Sequence, residues 1–235
     1  MPEPCLRAEE EALFLLLELN DALFPIGAYA HSYGLETYVQ QGSVHDAETA
    51  GKWLRAYFSG SFLYGELLSA RLAYEAFGEP DGLEKLLELE AEVRAARVPR
   101  ETREALQKLG RAAKNVTKIG LPFAARFDDY VKAAEQSCSH PVCYGALAAA
   151  LALPERTALQ HYLYAQLSAL TNTCVKLIPL SQTDGARLVA SFRTCYSAYI
   201  DRAMAAEADD LCLSSPGLDI RALQHEVLYS RLYMS

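Results

Sequence analysis

Six cysteines and five histidines are the side chains here that could ligate a metal or act as nucleophile and base. Only one local cluster of soft ligands exists, Cys138-Ser139-His140-Pro141-Val142-Cys143. A structural zinc site takes four ligands in tetrahedral array, and this stretch offers no more than three at irregular spacing. The plainer reading is that His140-Pro141 opens a helix and the cysteines are small apolar core residues. His31 is followed directly by Ser32, an adjacency that does not by itself make a nucleophile–base pair. His31 and His225 read as hydrogen-bonding side chains rather than ligands. The nucleophile elbow, the phosphate-cradling P-loop, the paired-histidine zinc motif and the dinucleotide fingerprint are all missing. The expectation is therefore no catalytic residue, no resident metal and no cofactor. The rival expectation is a small helical metal-dependent enzyme built on Cys138, His140 and Cys143.

The elements that must position these residues are helices. The chain has 235 residues, of which 51% are hydrophobic and 22% charged, a globular composition with bulk for a real core. Net charge is −8 and the isoelectric point lies near 5.2. Such a surface repels phosphate backbones and suits a basic protein partner or a cationic ligand. No charged n-region precedes an apolar run, and the apolar runs Leu13–Leu19 and Ala146–Leu153 are too short to cross a bilayer. The cysteines Cys5, Cys138, Cys143, Cys174, Cys195 and Cys212 form no small secreted framework and read as reduced thiols of a cytoplasmic protein.

Strand signals are weak, because no stretch joins β-branched enrichment to period-two alternation between tight turns. Alanine and leucine dominate, and helical spacing recurs throughout. Helices are expected over 9–19, 35–41, 46–58, 62–77, 83–97, 101–119, 123–136, 142–153, 154–177 (with Pro154 at the first helical position), 182–206 and 219–229. Asp46 with Thr49, and Ser181 with Asp184, are expected N-terminal caps. Gly110 inside a helix costs roughly 1 kcal/mol against alanine, which points to close packing over it. Val142–Leu153 is small and apolar all round, as a buried central helix would be. The expected fold is all-α, one domain over 1–235 of roughly nine or ten helices, with 1–10 flexible and 224–235 a tail.

Four stretches stand out beyond the core pattern. Asn20–Gln41 breaks at Pro25 and Gly27 and carries Phe24, Tyr29, His31, Tyr33 and Glu36. A bent connection this aromatic must pack on something, its own core or a partner. Val98–Ala105, with Lys108, Gly110, Arg111 and Lys114, is a basic face in an acidic protein, either solvated or a docking surface. Pro179–Arg187 exposes Gln182, Thr183 and Asp184 at a helix start. The ending Gln224–Ser235 carries Leu228, Tyr229, Leu232, Tyr233 and Met234 around Arg231. Tyrosine and arginine are enriched at interface hot spots. Such a tail packs within the chain or orders on a partner.

These stretches together carry a family likeness. LNDALFPIGAYAHSYGLE, the Arg100-Glu101-x-Arg103 segment, His161–Gln166, Pro179–Gly185 and the final SRLYMS resemble, in that order, the signatures of UreF urease accessory proteins, with the Helicobacter-type members most similar. Ser181 and Ala186 depart from the glycine and glutamine of the family's P-L-G-Q-T-D-G-Q pattern. The resemblance implies an all-α, dimeric, non-enzymatic adaptor. It implies partners too: a UreH/UreD-type accessory protein, a UreG-type GTPase and apo-urease, to which nickel is delivered. The expected partner-interface residues are Tyr29, His31, Glu36, Gln182, Asp184, Tyr229, Arg231 and Tyr233. Arg231 is expected to donate to loop carbonyls or Tyr29. No nucleic acid or membrane enters this reading.

Overall fold

The computed structural model describes residues 8–21, 31–113, 125–135, 137–213 and 215–234. Every regular element among them is helical, and no strand occurs among the described residues. The first helix, α1 (Ala8–Leu19), buries Leu16 and Leu19 and leaves Leu13, Phe14 and Leu17 exposed. A short α2 (Leu35–Gln40) follows the left-handed pair Tyr33 and Gly34. In α3 (Ala47–Ser59) the Asp46 carboxylate accepts from the Thr49 N–H at 2.8 Å, and the Thr49 hydroxyl caps in return. Trp53 and Tyr57 stack on its inner face with centroids 5.3 Å apart.

After Gly60 the chain re-enters helix through a π-helical turn, Leu63–Leu67, that runs into α4 (Leu68–Phe77). Sequence periodicity predicts one α-helix over 62–77. The wider turn brings Glu66 inward, where it is buried. Next come α5 (Gly82–Ala96), α6 (Arg100–Ala113), α7 (Ala125–Ala134) and α8 (His140–Ala150). The expected helices over 101–119 and 123–136 each fall partly outside the described residues. Cys138 and Cys143 lie in the core, as apolar side chains do.

Helix α8 is the centre of the molecule, and nearly all its side chains are buried. It lies against α4 so closely that a Cβ on Gly145 would overlap the Ala70 carbonyl. It lies against α6 in the same way, since a Cβ on Gly110 would overlap the carbonyl of Cys138. Glycine is needed at both crossings because backbone meets backbone there.

The long helix α9 (Glu155–Leu177) starts after Pro154, which caps the helix from outside rather than filling its first position. In α10 (Gln182–Ser191) the Ser181 hydroxyl accepts from the Asp184 N–H at 3.1 Å, as expected for the cap. The helix expected over 182–206 is broken. A 3₁₀ turn at Phe192–Thr194 and Cys195 separate α10 from α11 (Tyr196–Ala205). This bend lets Phe192 enter the core, where it meets Phe58 at 5.8 Å. The last helix, α12 (Pro216–His225), begins and ends earlier than the expected 219–229, and residues 226–234 form a non-helical tail. Twelve α-helices are thus found among the described residues, one more than the helical ranges read from the sequence, because the stretch 182–206 is broken into α10 and α11. None of the described helices is long and apolar enough to cross a membrane.

Candidate functional site

The tail lies back along α2. The Gln40 amide donates to the Ser230 carbonyl at 2.7 Å, and the Thr37 hydroxyl to the Arg221 carbonyl at 2.9 Å. At the centre is Glu36, only 3% exposed. Its Oε1 accepts the Leu232 N–H at 2.6 Å. Its Oε2 accepts the Tyr233 N–H at 3.1 Å and faces His225 Nε2 at 3.0 Å. The other ring nitrogen of His225, Nδ1, faces Glu101 Oε2 at 2.6 Å, and Arg231 Nη1 donates to Glu101 Oε1 at 2.6 Å. Four charged or chargeable side chains from α2, α6, α12 and the tail form one chain of contacts. Buried carboxylates persist only when so satisfied.

The tail's side chains divide accordingly. Tyr233 is buried, with its hydroxyl bonded to Thr173 of α9, and burial pushes the phenol above its ordinary range. Val227, Tyr229, Leu232 and Met234 are exposed, and Tyr229 is fully so. The structure therefore holds the tail by its backbone and turns an apolar face outward.

The other expected interface residues fall into three groups. Tyr29 lies outside the described residues. His31 is buried near the N-terminus of α2, where desolvation and the nearby Lys108 charge lower its imidazole to about 4. Gln182 is exposed and Asp184 half-buried at the start of α10, where Asp184 is held below the usual carboxylate range first by the Ser181 hydroxyl. Arg231 takes a carboxylate partner, Glu101; the expected contact with Tyr29 or its loop carbonyls lies outside the described residues. Glu36, expected at a partner surface, has both oxygens occupied within the chain.

Glu101 and His225 complete the constellation, and sequence reading did not join them to Glu36. Their only signals were the Arg-Glu-x-Arg segment and a histidine within an apolar tail. Positions 36, 101, 225 and 231 share no local spacing, so only the fold unites them.

A second buried polar cluster lies where the π-helical turn meets the loop before α12. Arg97 Nη2 donates to Glu66 Oε1 at 2.7 Å, Arg97 Nη1 to the Cys212 sulfur at 3.6 Å, and the Tyr162 hydroxyl to Glu66 Oε2 at 3.4 Å. A cavity of about 240 Å³ opens beside it, lined among others by Tyr33, Tyr57 and Asp219. The Cys138/His140/Cys143 set does not converge. His140 Nδ1 faces the Tyr162 hydroxyl at 3.3 Å, and the Cys138 sulfur faces that of Tyr130 at 3.6 Å. Burial lowers His140 to about 4. No group of three or more histidine, cysteine or carboxylate side chains placed to hold a metal occurs among the described residues.

Comparison with known proteins decides the kinship. The UreF family model matches residues 44–193. The chain belongs to the UreF family. It is 32% identical over 223 residues to the urease accessory protein UreF of Lachnoclostridium phytofermentans, covering 94% of this chain and 97% of the relative. The urease accessory protein UreF of an Arthrobacter species is 33% identical over 225 residues, covering 94% and 96%. That of Actinobacillus pleuropneumoniae serotype 5b is 33% identical over 227 residues, covering 94% and 97%. Of the Glu36 constellation only Glu101 lies within the part matched by the UreF model. The relatives align with nearly the whole chain.

Proposed function

We propose that this chain is a non-enzymatic adaptor in the maturation of urease. In this reading it joins a UreH/UreD-type accessory protein to a UreG-type GTPase, so that nickel reaches apo-urease, and it modulates GTP hydrolysis. Membership of the UreF family supports the setting. The observation that carries the adaptor reading is the tail. Its backbone is clamped by the buried Glu36, while Val227, Tyr229, Leu232 and Met234 face outward. An exposed apolar face fixed by a polar clamp is suited to burial against another protein. We assign it to the UreH/UreD-type partner. The exposed start of α10, with Gln182 and Asp184, is offered as a further contact.

Self-association belongs to the same reading. A groove of about 580 Å³ between α9 and the α10–α11 bend is lined by Tyr164, Leu167, Val189, Phe192 and Tyr196. Tyr164 is 55% exposed in it. A homodimer would bury this groove.

The test is co-purification with UreH/UreD-type and UreG-type proteins, followed by sizing. Arg231→Ala should abolish association with the first partner while the isolated chain stays helical. Undiminished binding by that variant would refute the tail as the contact.

A further inference from the structure

His225 has no exposed surface, and each of its ring nitrogens faces a carboxylate oxygen, at 2.6 and 3.0 Å. A neutral imidazole has one N–H and one lone pair. In that form one contact would set a lone pair against a carboxylate, a repulsion that a buried site does not screen. Only the doubly protonated ring can donate to both. We infer that His225 is the bolt of a proton-dependent latch. With both nitrogens protonated it ties Glu36 of α2 to Glu101 of α6, and so holds Glu36 where it accepts the Leu232 and Tyr233 N–H groups. The tail then docks on the body while His225 keeps its second proton. The importance of the latch for partner binding rests on the adaptor reading; the latch itself does not.

Charge balance supports this. The groups facing the ring are Glu36 and Glu101, and Arg231 neutralises Glu101 from its far oxygen. Two anions and two cations thus sum to zero when the ring is an imidazolium. Removal of the proton leaves a net negative charge among buried groups, which is costly. Further out stand His31 and Lys108, which feel the same field, and the exposed Arg100–Glu226 pair at 3.3 Å. Lys108 opposes the proton on His225 only weakly, being exposed to water. The sign follows. Rising pH removes the proton and opens the latch.

The experiment is nitrogen-15 NMR of histidine-labelled full-length chain, with amide hydrogen exchange read in parallel. His225→Gln identifies the ring signal. We expect both ring nitrogens protonated while the tail is docked. Exchange at Leu232 and Tyr233, corrected for its intrinsic pH dependence, should rise about tenfold or more as the ring becomes neutral, with α8 unchanged. Glu101→Gln removes one carboxylate that holds the proton, so it should move release to lower pH. That variant also carries the assignment if His225→Gln does not fold. A neutral tautomer while the tail is docked, tail protection that ignores the ring's proton, or release unmoved in Glu101→Gln would each overturn the latch. All readouts use the isolated chain, so a failed co-purification would count against the adaptor reading alone.

Discussion

Two histidines are kept neutral by burial, and their effect on stability has a definite sign. His31 and His140 are both lowered to about 4 from an ordinary 6.5. The unfolded chain therefore binds protons that the folded chain refuses. Stability from these groups is complete above the unfolded value and is lost as pH falls from about 6.5 towards about 4. Each group contributes a slope of up to about 1.4 kcal/mol per pH unit within that window. Urea midpoints measured across it should fall with acidification, and His140→Gln should flatten the curve. The Glu66–Arg97 pair makes a second case at this scale. Both side chains are nearly buried, so Glu66→Ala strands a guanidinium. We expect a loss of about 3 kcal/mol in denaturant unfolding. The Glu66→Ala, Arg97→Met double variant should recover part of it, because no charge is then left unpaired.

Among the helices, Gly110 shows how packing outweighs local propensity. Alanine there would favour helix α6 by about 1 kcal/mol in isolation. Its Cβ would overlap the Cys138 carbonyl, where α8 begins. Backbone cannot yield as a side-chain tip can, so Gly110→Ala should destabilise by about 2 kcal/mol, read from the urea midpoint. Ser181→Ala, by contrast, removes only a cap and should cost about 1 kcal/mol. Both features were legible in the sequence, as was the Asp46 cap, because capping and small-residue packing are written in a few adjacent residues. The breaks were not. Nothing local marks the π-helical turn at Leu63–Leu67, where Glu66 meets Arg97 from just past the end of α5. The bend at Cys195 follows from the demand of the core for Phe192, and the same helical period runs through it. The tail is legible as unusual, through its tyrosines and Arg231. Its anchor is not, because Glu36 and Glu101 come to it from positions far earlier in the chain.

For the whole molecule, net charge and groove make opposing claims that salt can separate. Each copy carries a net charge of −8, so two copies repel before they touch. At low ionic strength that repulsion reaches about 30 Å, and near 0.1 M salt only about 10 Å. The groove beside Tyr164 is chiefly aliphatic and aromatic, and its burial depends little on screening. Homodimerisation should therefore strengthen as moderate salt is added. Docking of a basic partner on the same acidic protein should weaken, since there screening removes an attraction. Sedimentation of the isolated chain across a salt series reads the first effect directly. If the proposed homodimer closes over the groove, Tyr164→Arg should convert it to monomer without altering helix content. A dimer that dissociates with salt would mean that ion pairs hold the copies together, and the groove would then be left open for another protein. A dimer that survives Tyr164→Arg would move the contact to another face, for which the exposed Leu13, Phe14 and Leu17 of α1 are the next apolar surface.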